Sequence, residues 1–208
     1  MELTSPALTD GEPIPGVYAL AVPDPETNVT FAANRNPALH WAGAPEGTRS
    51  FALLCIDRDA PSVRDDTNLE GREVPADLPR VDFAHWVLID LPPETRSLSE
   101  AAFCEGVTPR GKPGLSEGPR EGVNDYTGWF AGDPDMAGTY KGYDGPCPPW
   151  NDSVVHHYDF TIYALDVDRL DVEGDFTATE VLAAMEGHIL DSATLTGTYT
   201  LTPRLRNT

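Results

Sequence analysis

Three short apolar segments, separated by long turn-rich stretches, set the terms on which this chain can fold. Arg49–Asp57, Phe83–Leu91 and His156–Leu165 are compact and apolar, and the last is rich in aromatic and β-branched residues, as buried strands are. Ala193–Leu201 sets Leu195, Gly197, Tyr199 and Leu201 against threonines and reads as a last strand. The 20 prolines and 18 glycines are spread along the chain rather than gathered in one linker, and there is no internal repeat. Residues 1–48 are turn-rich with short extended pieces, 58–80 read as a charged surface loop, and 92–154 is loop-rich. The stretch before His156 exceeds a normal connection, which points to functional loops or an insertion. Thr177-Ala178-Thr179-Glu180 has capping-box spacing, so a helix is expected near 178–187, with Val181, Leu182 and Met185 on one face and Gly187 as its stop. No strand–helix alternation repeats. The expected class is mainly β, with one or two helices at the edge.

Charge narrows the choice of partners. Thirty-four Asp and Glu stand against 14 Lys and Arg, a formal net charge of −20, and only Lys112 and Lys141 are lysines. Nucleic acid and anionic membranes both call for clustered cations, so neither is an expected partner. Forty per cent hydrophobic residues are too many for a disordered acidic tail, and the length is ample for a sizeable core. Phe51–Ile56 and Trp86–Ile89 fall far short of the roughly 18 apolar residues of a membrane helix. No basic, apolar leader opens the sequence, so a cytoplasmic protein is expected. Self-repulsion on this scale is relieved by salt, which suggests a salt-loving cytoplasm. Cys55, Cys104 and Cys147 form no CxxC pair, and free thiols are expected, with Cys55 a buried small hydrophobe.

Strand periodicity then singles out polar groups on apolar faces. Residues two apart share a face, so Asp57 ends its strand with Leu53 and Cys55, His85 lies with Val87 and Ile89, and His156 and Tyr158 lie with Phe160 and Ile162. Burying such groups unpaired costs about 1–3 kcal/mol each, so they are expected to find one another. A carboxylate with two imidazoles and a phenol can orient a histidine and donate to an anion. A histidine in a strand is more often a satisfied core residue than a functional one. The same two His and one Asp could form a metal's facial triad, although no HxH or HExxH spacing supports it. His40 and His188 read as structural, His157 as a rim residue, and Asn124-Asp125-Tyr126 as a turn. Asp57-Arg58-Asp59-Ala60-Pro61 and Gly145-Pro146-Cys147-Pro148-Pro149 supply rigid, proline-bearing walls beside these groups. The phosphate-loop pattern GxxxxGK[ST] does not occur.

These segments resemble the phosphatidylethanolamine-binding proteins, the family that includes the Raf kinase inhibitor protein and its bacterial and archaeal relatives. Asp57–Pro61 is similar to the family's DPDAP motif, with Arg58 in place of a proline. Phe83-Ala84-His85-Trp86-Val87 looks like its histidine-bearing strand, and Gly145–Pro149 followed by His156-His157-Tyr158 like its GxPP…HRY block. The likeness runs from Asp10–Pro15 through Asn36–Trp41 to Ala184–His188 and Gly197–Tyr199. It implies a single domain over 1–208, with a large antiparallel sheet packed on a smaller one and peripheral helices. It also implies a pocket for phosphate-like anions lined by Asp57, His85, His156 and Tyr158. Cys147, Pro148 and Pro149 would form its wall, with Asp59, Pro61, Gly145 and Pro146 in support. Residues 150–155 lack the family's usual lysine and glycines, His157 replaces its arginine, and Trp129–Tyr143 looks like an insertion.

The expected function is non-enzymatic: binding a phosphate-bearing or other small anionic ligand, with His85 and His156 donating and Asp57 setting their tautomers. Modulation of a kinase or another partner protein, and a homodimer, follow from the resemblance alone. No catalytic residue, metal or cofactor is expected. The alternative is a His/Asp-based hydrolase, or a metal-dependent enzyme acting on a small phosphoester.

Overall fold

A computed structural model describes residues 1–206. Its strands are β1 (Glu2–Thr4), β2 (Ala21–Asp24), β3 (Asn28–Phe31), β4 (Leu39–Ala42), β5 (Ser50–Pro61), β6 (Arg80–Leu91), β7 (Ser97–Leu98) and β8 (Arg120–Glu121). A single helical turn, α1 (Tyr126–Trp129), precedes β9 (His156–Leu165), helix α2 (Ala178–Met185) and β10 (Ile189–Tyr199). Five strands form one antiparallel sheet in the order β10-β9-β5-β6-β8, three form a smaller sheet β1-β4-β7, and β2 pairs with β3. The chain is mainly β, with a large antiparallel sheet, smaller ones and few helices, as expected.

The central strands are apolar because both faces of the large sheet are covered. Phe51, Leu53 and Cys55 of β5 pack with Trp86, Phe160 and the small sheet's Leu3, Leu39 and Trp41. Ala52 and Leu54 face the other way, onto Val87, Ile89, Phe176 and the α2 residues Val181 and Met185. Helix α2 starts where the capping box places it. The Thr177 hydroxyl accepts from the Glu180 N–H at 3.4 Å, and the Glu180 carboxylate accepts from the Thr177 N–H at 2.8 Å. Gly187 follows in the left-handed region, at φ +80°. Leu182 departs from expectation. It is 41% exposed, because an eight-residue helix on a flat sheet buries only the narrow stripe of Val181 and Met185.

Strand ends also move. β5 runs on to Pro61 and β6 begins at Arg80, so the surface loop is shorter than 58–80, and β10 spans Ile189–Tyr199 rather than 193–201. Two bulges matter for the site. Cys55 pairs with Trp86 but Ile56 with Ala84, which leaves His85 as an extra residue in β6. Asp57 pairs with Phe83 but Ala60 with Val81, so Arg58 and Asp59 bow out of β5. The first bulge overturns the simple alternation. Val87 and Ile89 lie under α2, whereas His85 is turned to the opposite face, against Tyr158. All three cysteines are free, and Cys55 is buried. Among the described residues no helix is long and apolar enough to cross a membrane.

Candidate functional site

The bulged ends of β5 and β6 and the start of β9 meet the strap 145–149 around one small cavity of about 30 Å³. Asp57 lies opposite both Tyr158 of β9 and Phe83 of β6, so three neighbouring strands deliver the polar groups to one place. Asp57, Pro61, His85, Cys147, Pro148, Pro149, His156 and Tyr158 line the cavity. Asp59 braces it from outside, accepting from the N–H and Nδ1 of His157 at 2.8 Å each, while its own N–H donates to Asp57 at 2.8 Å. Gly145 and Pro146 hold the strap against the segment just before β2. A Cβ on Gly145 would stand 2.0 Å from the Tyr18 carbonyl oxygen, and the Pro146 carbonyl accepts from the Leu20 N–H at 3.0 Å.

His156 is clamped. Its Nδ1 lies 2.7 Å from Asp57 Oδ2 and its Nε2 3.1 Å from Asp152 Oδ2, and Asp152 in turn accepts two bonds from Arg80, at 2.7 and 3.0 Å. Burial by itself would lower the pKa of this ring, but bonds to Asp152 and Asp57 overcome it and raise the value to about 9. The same bonds, with those from Arg80, hold the Asp152 carboxyl below its ordinary range despite burial. At neutral pH the ring is an imidazolium with both N–H groups committed to carboxylates. The expectation that His156 donates to a ligand is therefore corrected.

His85 is the opposite case. Its Nδ1 lies 2.7 Å from the Asp144 carbonyl oxygen, which can only accept, so Nδ1 carries the proton. Asp144, not Asp57, sets this tautomer. Burial pushes the His85 pKa below the usual range, against the pull of Asp57, and Nε2 of the neutral ring has no protein partner among the described residues. Aromatic rings hold the imidazole in place, with Phe83, Tyr126 and Tyr158 centroids 5.1, 5.3 and 5.1 Å away. Among the described residues the Tyr158 hydroxyl, which is buried, has no hydrogen-bond partner. Its pKa is raised by burial and then by the nearby Asp57 charge, although the two form no bond of ordinary geometry. The Cys147 thiol is pushed up to about 12 by burial.

Sequence reasoning missed part of the wall. Ala60, Phe83, Tyr126 and Trp129 also line the cavity. Asn124-Asp125-Tyr126 is more than a turn: Asn124 is fully buried and bonds Asp144 at 2.8 Å, and the Tyr126 hydroxyl donates to the Gly145 carbonyl at 2.7 Å. Asp152 and Arg80 carried no motif. The one signal that could have found Asp152 is its spacing of four from His156. Among the described residues no cluster of three or more His, Cys, Asp or Glu is arranged to hold a metal ion.

Comparison with known proteins places the chain in a family. The model of the phosphatidylethanolamine-binding proteins matches residues 4–200. The chain belongs to the phosphatidylethanolamine-binding protein family. Within the family it is 37% identical over 166 residues to a UPF0098 protein of Methanothermobacter thermautotrophicus, covering 80% of this chain and 83% of that one. A UPF0098 protein of Aquifex aeolicus is 31% identical over 201 residues, with 96% and 88% covered. The crystal structure of Escherichia coli YbcL, described as a member of the mammalian family, superposes with a TM-score of 0.67 at 25% identity, over 96% of this chain and 97% of that one. A family homologue from Chlamydia trachomatis gives 0.63 at 30% identity, with 95% of each chain covered.

Proposed function

We propose that this protein is a binding module whose pocket takes one small oxyanion group, a phosphate or a carboxylate, as the head of a soluble ligand. The observation that carries this reading is the Tyr158 hydroxyl, a buried donor with no acceptor in hydrogen-bond geometry among the described residues, in the wall of a small cavity. Leaving such a group unpaired costs about 1–3 kcal/mol, which an oxyanion in the cavity would recover. His85 supports it: an acid proton on the ligand, or one taken up by Nε2, would complete a second bond. His156 stands in the cavity wall as the counter-charge to Asp57, which also lines it, rather than as a donor.

Hydrolysis is less well supported by the same groups. Burial keeps Cys147 as a thiol at neutral pH, and His156 is protonated and clamped, so neither is poised as nucleophile or base. Calorimetric titration of phosphate and acetate into the parent and Tyr158→Phe tests the proposal. Binding to the parent that weakens about tenfold in the variant is the expected result. A parent that binds neither anion rules the proposal out.

A further inference from the structure

In so acidic a chain, the cations around the pocket are already spent. Arg80 bonds Asp152, Arg58 bonds Asp159 and His157 bonds Asp59. Arg64 is different. Among the described residues it has no carboxylate partner, although aspartates adjoin it in sequence and Asp66 is bound to Arg72 instead. Its guanidinium stacks 4.1 Å over the Trp129 ring, and Nη1 donates to the Trp129 carbonyl oxygen at 2.9 Å. The other guanidinium N–H groups have no protein acceptor among the described residues.

Trp129 belongs to two spaces at once. It lines the small pocket, and with Arg64 it lines an adjoining open cleft of about 510 Å³. The segment after it, expected to be an insertion, is well anchored. Met136 and Tyr140 pack on Tyr126, and Asp133 is engaged by the N–H groups of Asp135 and Met136 at 2.9 and 3.2 Å. A stacked arginine whose Nε and Nη2 groups keep their donors free is a preorganised receptor for a carboxylate or phosphate. Asp133 and Asp135 also line the cleft, and their charges leave the Trp129–Arg64 end as the part favourable to an anion.

We infer that this cleft is a second subsite of the same site, in which Arg64 pairs with a negatively charged substituent of a ligand whose small head occupies the pocket. The ligand class is a small molecule carrying two anionic groups. The inference rests on the reading of the pocket as an oxyanion site. A matched pair of probes separates the two ideas: glycerol 3-phosphate, and 3-phosphoglycerate, which carries a carboxylate in place of the terminal alcohol. Calorimetry with the parent should show 3-phosphoglycerate binding about tenfold tighter. Arg64→Gln should erase that advantage, Arg64→Lys should restore part of it, and Asp135→Asn should enlarge it. Equal binding of the two probes by the parent, or an advantage that survives Arg64→Gln, overturns the subsite and leaves the pocket standing. Failure of both probes and of inorganic phosphate to bind the folded parent overturns the pocket itself, and the subsite with it.

Discussion

Asp152 Oδ2 lies 3.1 Å from Nε2 of His156, a residue only four positions later in a segment that is not helical. The contact closes a buried chain of alternating charge, Arg80–Asp152–His156–Asp57, whose formal charges cancel. With the bond to Asp57 it ties both ring nitrogens of the histidine into the scaffold.

Stability should record that role in its pH dependence. The folded pKa of His156, about 9, lies above its unfolded value near 6.5, so its contribution is complete below that value and is lost as pH rises through about 9. The contribution is on the order of 3 kcal/mol for so buried a group. Melting temperature should therefore fall between neutral pH and about pH 10, and less steeply in Asp152→Asn. An identical slope in parent and variant would contradict the clamp.

Tyr158→Phe should move stability and binding in opposite directions. Removing a buried hydroxyl that has no partner should leave the protein as stable or about 1 kcal/mol more stable in urea denaturation. The same change should weaken acetate binding. A marked loss of stability would mean the hydroxyl is satisfied within the fold.

Anion affinity should rise as pH falls. His85 is held below the usual histidine range by burial, and an anion beside Nε2 favours the protonated ring. Acetate, which stays ionised across the range, should bind progressively tighter from roughly pH 8 down to pH 5.5, with proton uptake measurable in buffers of different ionisation enthalpy. His85→Gln should flatten the profile. Affinity independent of pH in the parent would exclude His85 from the ligand's contacts.

Gly145→Ala tests the strap. The new methyl would stand 2.0 Å from a backbone oxygen, where no flexible side chain can give way. A loss of about 3 kcal/mol or more is expected, with weakened anion binding because Cys147, Pro148 and Pro149 move with the strap. Parent-like melting would show that the strap is loosely seated.

Salt should stabilise the protein. A net charge of −20 opposes compaction at low ionic strength, and screening shortens its reach to about 3 Å at 1 M salt. Melting temperature is expected to climb steadily from low to molar potassium chloride. A flat or falling curve would remove the basis for a salt-loving habitat.

Much of the scaffold was legible because it rests on local patterns. β9 begins and ends where its alternation of apolar and polar residues does, His156–Leu165, and the capping box marks the start of α2. Asp57, His156 and Tyr158 lie on the faces their strands predict. His85 does not, since a single extra residue in β6 reverses the parity of everything after it. No sequence pattern announced that bulge.

The sequence by itself determined the mainly β architecture, the helix start, and the set of polar groups carried on apolar strands, because strand period and helix capping depend only on near neighbours. Tertiary structure alone decided what those groups do. Whether His156 donates to a ligand or to Asp57, which carbonyl holds His85, and whether Arg64 meets a carboxylate or a tryptophan depend on contacts between residues tens of positions apart. Those contacts come from the register of neighbouring strands and the path of long loops, where each buried polar group takes whichever partner the closed fold leaves within about 3 Å.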